Sequence, residues 1–171
     1  MNAFDSLLKK RKDPQLIKFK EEFIQKQRSI INIFLNAAEE WLAPYKQAGD
    51  ISFHLCHDWQ VKNDEIGEFT ADWIKVIFEE SEIYITPQDN ILVDALSRID
   101  MWRSGKRFVF LYVEKDNDGQ TPVLKEPDIN TDVLKDYEWK LMKKGVFPEY
   151  VNLDKEVFLD SLGKLLDGTA N

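Results

Sequence analysis

The chain has one cysteine, Cys56, and two histidines, His54 and His57. A single cysteine cannot close an internal disulfide, and it suits a reducing compartment. Soft ligands are equally scarce. A closed zinc site takes four ligands and a catalytic one usually three plus water, so no metal and no cofactor is expected. Basic residues are outnumbered: 23 Lys and Arg stand against 31 Asp and Glu, a formal net charge of −8. Nucleic-acid affinity comes largely from phosphate neutralisation by Lys and Arg. This balance therefore argues against DNA or RNA as a partner, and against an anionic membrane surface. No apolar run is long enough for a membrane span. In MNAFDSLLKKRKD the basic residues follow the apolar ones, the reverse of a secretory leader, so the expected compartment is the cytoplasm. P-loop, GxGxxG, GxSxG, HExxH and kinase signatures are all missing. With 31 carboxylates a chance Asp/Glu pair is certain somewhere, and no catalytic residue is assigned on that ground.

What is present is apolar surface. Hydrophobic residues make up 43% and aromatics 12% of 171 residues, enough for a sizeable core in a single domain spanning 1–171. Three regions are expected: helical over 1–45, a sheet over 50–145 and a last helix over 152–168. Asp13-Pro14 is a helix start, with a capping carboxylate followed by a proline whose missing N–H costs nothing there. Apolar pairs then recur every seven residues (Leu16/Ile17, Phe23/Ile24, Ile30/Ile31, Ala37/Ala38), predicting a helix over 14–43 that stops before Pro44. Its length suggests a bend, or a homo-oligomer joined through the 14–43 stripe, which would make the chain a self-assembling structural protein. Lys9-Lys10-Arg11-Lys12 just ahead of it reads as a solvated face.

After Gly49-Asp50 the period changes to two. ISFHLCHDWQV, 51–61, alternates as a half-buried strand, with or without a bend near His57, and places His54 and Cys56 on one face and His57 among the apolar residues of the other. Further strands are expected at 69–78, at 82–86 ending at Pro87, at 91–96, at 98–102 (a further strand or a continuation of 91–96 after a bulge), and at 106–115, which is apolar on both faces and hence central. Residues 116–127 read as a loop, and DNDG within it as a turn, since the spaced ligands of a calcium loop are missing. Residues 133–143 fit a helix through Val133, Leu134, Tyr137 and Leu141. They fit a strand through Tyr137, Trp139 and Leu141. Leu134 is expected to help close the core. Asn152 or Asp154 caps a final helix closed near Gly168. Together these give an α+β fold: an antiparallel β-meander of five to seven strands packed by a long N-terminal helix and a C-terminal helix.

Two stretches, IYITPQDNILVDALSRIDMWRSGKRFVFLYVEK and WKLMKKGVFPEYVNLDKEVFLDSLGKLL, resemble small uncharacterised bacterial proteins. In those, a strand ends in I-x-P, a second leads into G-R-V/I-D, and the C-terminus carries Trp-Lys, a Pro and L-x-x-E-x-F opening a helix. The likeness covers less than half of the chain, and Ser97 stands where the pattern has Gly. It implies a strand at 137–143 and no activity.

Two constellations remain. His54 and Cys56, about 7 Å apart on one strand face, offer two zinc ligands or a Cys–His pair, and a metal-dependent hydrolase using them with nearby carboxylates is the enzymatic alternative. Arg98, Asp100 and Trp102 share the other candidate face. Arg and Trp dominate interface hot spots, so these three are the expected binding residues, weighed against an ordinary exposed ion pair with Trp102 under a helix. The preferred expectation is a non-enzymatic binding or accessory protein, of the adaptor or immunity-inhibitor kind, whose acidic surface meets a basic protein partner.

Overall fold

The computed structural model describes residues 2–63, 66–89, 94–120 and 133–170. Among them the chain runs α1 (Ala3–Arg11), α2 (Pro14–Ala48), β1 (Ser52–Asn63), β2 (Gly67–Phe78), β3 (Ser81–Gln88), β4 (Ala95–Arg103), β5 (Lys106–Glu114), α3 (Val133–Asp136), β6 (Tyr137–Lys143), β7 (Glu149–Asn152) and α4 (Lys155–Asp167). The strands form one antiparallel sheet in sequence order, β1 to β7, so every neighbour in space is a neighbour in the chain. The α+β meander with a long first helix and a C-terminal helix is thus the observed architecture.

One sheet face carries Ile74, Val76, Ile83, Ile85, Ile99, Met101, Phe110 and Tyr112, and these bury against Ile30, Phe34 and Leu35 of α2 and Phe158 and Leu162 of α4. Polar groups along this seam are paired. Gln27 donates to Leu96 O at 2.7 Å, Arg28 to Thr70 O at 2.8 Å and Trp139 Nε1 to Ile30 O at 3.1 Å. At the other end, Arg103 donates to Leu165 O and Leu166 O, both at 3.0 Å, and Lys106 to Gly168 O. The β4–β5 hairpin thereby supplies cations to the last carbonyls of α4, where the helix dipole favours them.

Several boundaries differ from expectation. The helix predicted over 14–43 runs to Ala48 with Pro44 inside it. A proline there removes one N–H bond, to Glu40 O, and its ring faces solvent. The true stop is Gly49, left-handed at φ 80, whose N–H bonds Lys46 O while Asp50 N–H bonds Tyr45 O. The basic run 9–12 ends a further helix, α1, capped by Asn2 and separated from α2 by two residues. Pro87 lies within β3 rather than after it. Past Ile85 that strand pairs only with β4, so the missing N–H falls on the side that β2 has already left. Residues 133–143 hold both predicted forms in turn, one helical turn and then β6; the Leu134 side chain lies outside the described residues, as do positions 91–93 of the strand expected at 91–96. The sheet also runs beyond 145 through β7, and α4 begins at Lys155 with Asp154 as its cap.

Candidate functional site

Strand alternation sets Trp73, Tyr84 and Trp102 on the sheet face away from α2 and α4. Tyr84 and Trp102 are direct cross-strand partners, and their rings stack at 4.6 Å and 21°. That distance matches the inter-strand spacing of roughly 4.8 Å, so the two rings stand upright on the sheet, face to face. Trp73 continues the stack onto Tyr84 at 6.0 Å and 22°, and Trp59 meets Trp73 at 5.5 Å and 54°. Four half-buried rings thus form a ladder across β1 to β4.

Their polar handles are used internally. Trp102 Nε1 donates to Thr86 Oγ1 at 3.0 Å, Trp73 Nε1 to His57 O at 3.3 Å, and Tyr84 Oη to Glu82 Oε2 at 2.5 Å. Lys75 pairs with Glu82 at 2.6 Å beside the Tyr84 ring. These bonds hold the Glu82 carboxyl below its usual range, through Lys75 first and Tyr84 second, and raise the Tyr84 phenol and the Lys75 ammonium through Glu82.

The sequence-predicted trio lies at the β4 end of this ladder. Arg98 donates two bonds to Asp100, at 2.7 and 2.8 Å, and Arg107 approaches the same carboxylate at 3.4 Å. The ion pair is not the exposed kind: the Asp100 side chain is 3% and that of Arg98 15% exposed. A buried carboxylate is tolerated because both its oxygens are paired with cations. Among the described residues Trp102 lies under no helix, being on the face away from α2 and α4. It bonds the fully buried Thr86, which also accepts from Gln88 Nε2 at 2.8 Å. A cleft of about 200 Å³ opens here between Gln88, Asp100, Trp102 and Arg107.

His54 and Cys56 share the ladder's face, as alternation requires, but among the described residues no hydrogen bond or ion pair joins either to a carboxylate. Their cross-strand partners are Lys75 and Trp73, and Cys56 Sγ donates to His54 O at 3.7 Å. Among the described residues no group of three or more His, Cys, Asp or Glu is placed to hold a metal. His57 departs from its expected apolar setting. Continuing the register that pairs Leu55 with Ile74 and Cys56 with Trp73 sets His57 opposite Asp72, Nδ1 to Oδ1 2.6 Å; the register then shifts before Trp59, where Asp58 takes φ 67, and Trp59 falls opposite Ala71. The hydrogen bond and charge of Asp72 raise the imidazole pKa, against a smaller desolvation effect, and Asp58 adds to the rise. Next to it, a cleft of about 170 Å³ runs between His57, Asp58 and Asp72 of the sheet and Arg28 and Asn32 of α2.

Trp59, Trp73 and Tyr84 were not singled out by sequence reasoning. The Glu79-Glu80 turn pairs Phe78 with Ser81, which sets Lys75 opposite Tyr84 and so brings Trp73 diagonally onto Tyr84. Turn position alone therefore carried that signal. The Tyr84 to Trp102 register depends on the longer 89–94 connection and was not legible. Among the described residues no helix is long and apolar enough to cross a membrane. No known protein family, no curated protein and no solved structure matches the chain.

Proposed function

We propose that this is a non-enzymatic binding protein that engages a protein partner through the aromatic ladder and the adjoining Arg98, Asp100 and Arg107. The observation that carries it is the upright stacking of Tyr84 on Trp102, continued by Trp73. Sugar rings and nucleobases bind to open aromatic faces. Here the faces are used against one another, and the edges are offered outward. A ridge of ring edges bounded by paired charges suits the side chains of a protein surface, where Trp, Tyr and Arg contribute most affinity. The charges beside the ridge are mixed in sign: Lys75, Arg98 and Arg107 against Glu82 and Asp100. Affinity from the ridge then combines with long-range steering from the net charge of −8, which favours a basic partner of the kind an adaptor or an immunity-type inhibitor meets.

The test places a photo-crosslinking residue at His54, exposed beside the ladder, and at Glu40, exposed on α2. One protein adduct is expected from position 54 in native cells, absent from position 40 and lost on Trp73→Ala/Trp102→Ala. Identical adducts from both positions, or an adduct that survives the double substitution, would sink the proposal.

A further inference from the structure

The sheet divides at one end. β5 pairs with β6 only from Val109, opposite Met142, to Glu114. Past Met142, β6 stays with β7, Lys143 opposite Glu149. Lys106, Arg107 and Phe108 therefore remain paired to β4 and face no β6 partner. A cleft of about 400 Å³ opens in this gap, bounded on one side by Val157, Ser161 and Lys164 of α4. That volume falls within the roughly 300–1,000 Å³ of small-molecule pockets. The apolar lining includes Phe108, Met142, Val151 and Val157, each only half-buried. Water still reaches these side chains, so an apolar body laid in the cleft would complete their burial.

We propose that this cleft binds a small anionic amphiphile, an apolar body ending in a carboxylate. Charge around the cleft argues for this occupant. Arg107, Lys143, Lys144 and Lys164 line it with a single carboxylate, Asp160, in a chain of net charge −8. Asp160 is taken by Lys164 at 2.7 Å, and Arg107 leans towards Asp100 at 3.4 Å. Lys143 and Lys144 are exposed and pair with no acid among the described residues. Their ammonium groups are thus open to an anion, beside apolar side chains that a free phosphate would not cover. A fatty acid of medium length supplies both parts. The site goes beyond the partner reading: it lies at the divided end of the sheet and shares only Arg107 with the surface beside the ladder. A bilayer is the competing anionic surface. It would take in Val146 and Phe147, which stand 94% and 74% exposed between β6 and β7, but neither lines the cleft.

Methyl NMR of the full chain, titrated with decanoate below its micelle concentration, tests the site. Saturable binding is expected, with shifts centred on Leu141, Met142, Val151 and Val157. Decanol has the same chain and no charge. It is expected to bind about tenfold more weakly, as the loss of two exposed charge contacts implies, and acetate not at all. Lys143→Gln/Lys144→Gln is expected to bring decanoate down to the affinity of decanol, with unchanged circular dichroism. Val146→Ser/Phe147→Ser is expected to leave decanoate binding as it is. No saturable binding, equal affinities for decanoate and decanol, or shifts centred elsewhere overturn the proposal. So does decanoate binding that keeps its full strength without the two lysines, or that is lost with Val146 and Phe147, the mark of a tip that inserts into lipid.

Discussion

His57 owes its setting to its cross-strand neighbour. The β1–β2 register sets it opposite Asp72, and the bulge at Asp58 follows it. Its pKa is raised above the unfolded value near 6.5. The sign follows from linkage: the folded state binds the proton more tightly, so the stabilisation is fully present below pH 6.5 and is lost as pH rises through the folded pKa. In a histidine NMR titration, Asp72→Asn is expected to lower the His57 midpoint. In denaturant melts it is expected to flatten the loss of stability that the unaltered chain shows on going from acidic to mildly alkaline pH. An unmoved midpoint would show that the pair does not form. Arg98 and Asp100 make the converse point. Period two was enough to put them on one face with Trp102, but Thr86 opposite Asp100 and Arg107 opposite Trp102 come from positions that strand pairing alone brings near.

At the scale of elements, α2 shows how a local rule yields to its surroundings. Pro44 should end a helix, yet the last turn continues because Leu42 is fully buried, holding the segment down, and Gly49 supplies the left-handed cap. A proline in a helix interior is about 3 kcal/mol less favourable than alanine. Near an exposed end part of that cost is relieved, so Pro44→Ala is expected to stabilise the protein by roughly 1–2 kcal/mol in urea denaturation. No gain, or a loss, would mean that the ring makes a contact worth as much as the hydrogen bond to Glu40 O. β3 teaches the same lesson: Pro87 is accommodated because β2 no longer runs beside it.

In the whole molecule the two helices and the sheet meet at Phe34. Its ring lies 5.0 Å from Phe110, 5.3 Å from Trp139 and 6.2 Å from Phe158, each contact near edge-to-face. It therefore links α2 to β5, β6 and α4 at once. Truncating such a buried aromatic leaves a cavity that flanking elements cannot all close, so Phe34→Ala is expected to cost about 3–5 kcal/mol, read as a lowered denaturation midpoint. A cost near 1 kcal/mol would mean that α4 can settle into the space. The opposite sheet face carries the ladder, and residues 2–19 are exposed throughout, so one sheet face is spent on the core and the other is not.

The sequence by itself determined the fold class and most strands, because period two, period seven and Gly or Asp turns are local consequences of side-chain alternation and backbone sterics. It also placed Arg98, Asp100 and Trp102 on one face, and His54 with Cys56 on another strand's face. Only the tertiary structure decided what each face meets. Registers across β3 and β4 stacked Tyr84 on Trp102, the β1–β2 register set His57 against Asp72, and residues 2–19 were left exposed. Those outcomes depend on contacts between positions far apart in the chain, where the free energy of packing overrides local preference and periodicity carries no information.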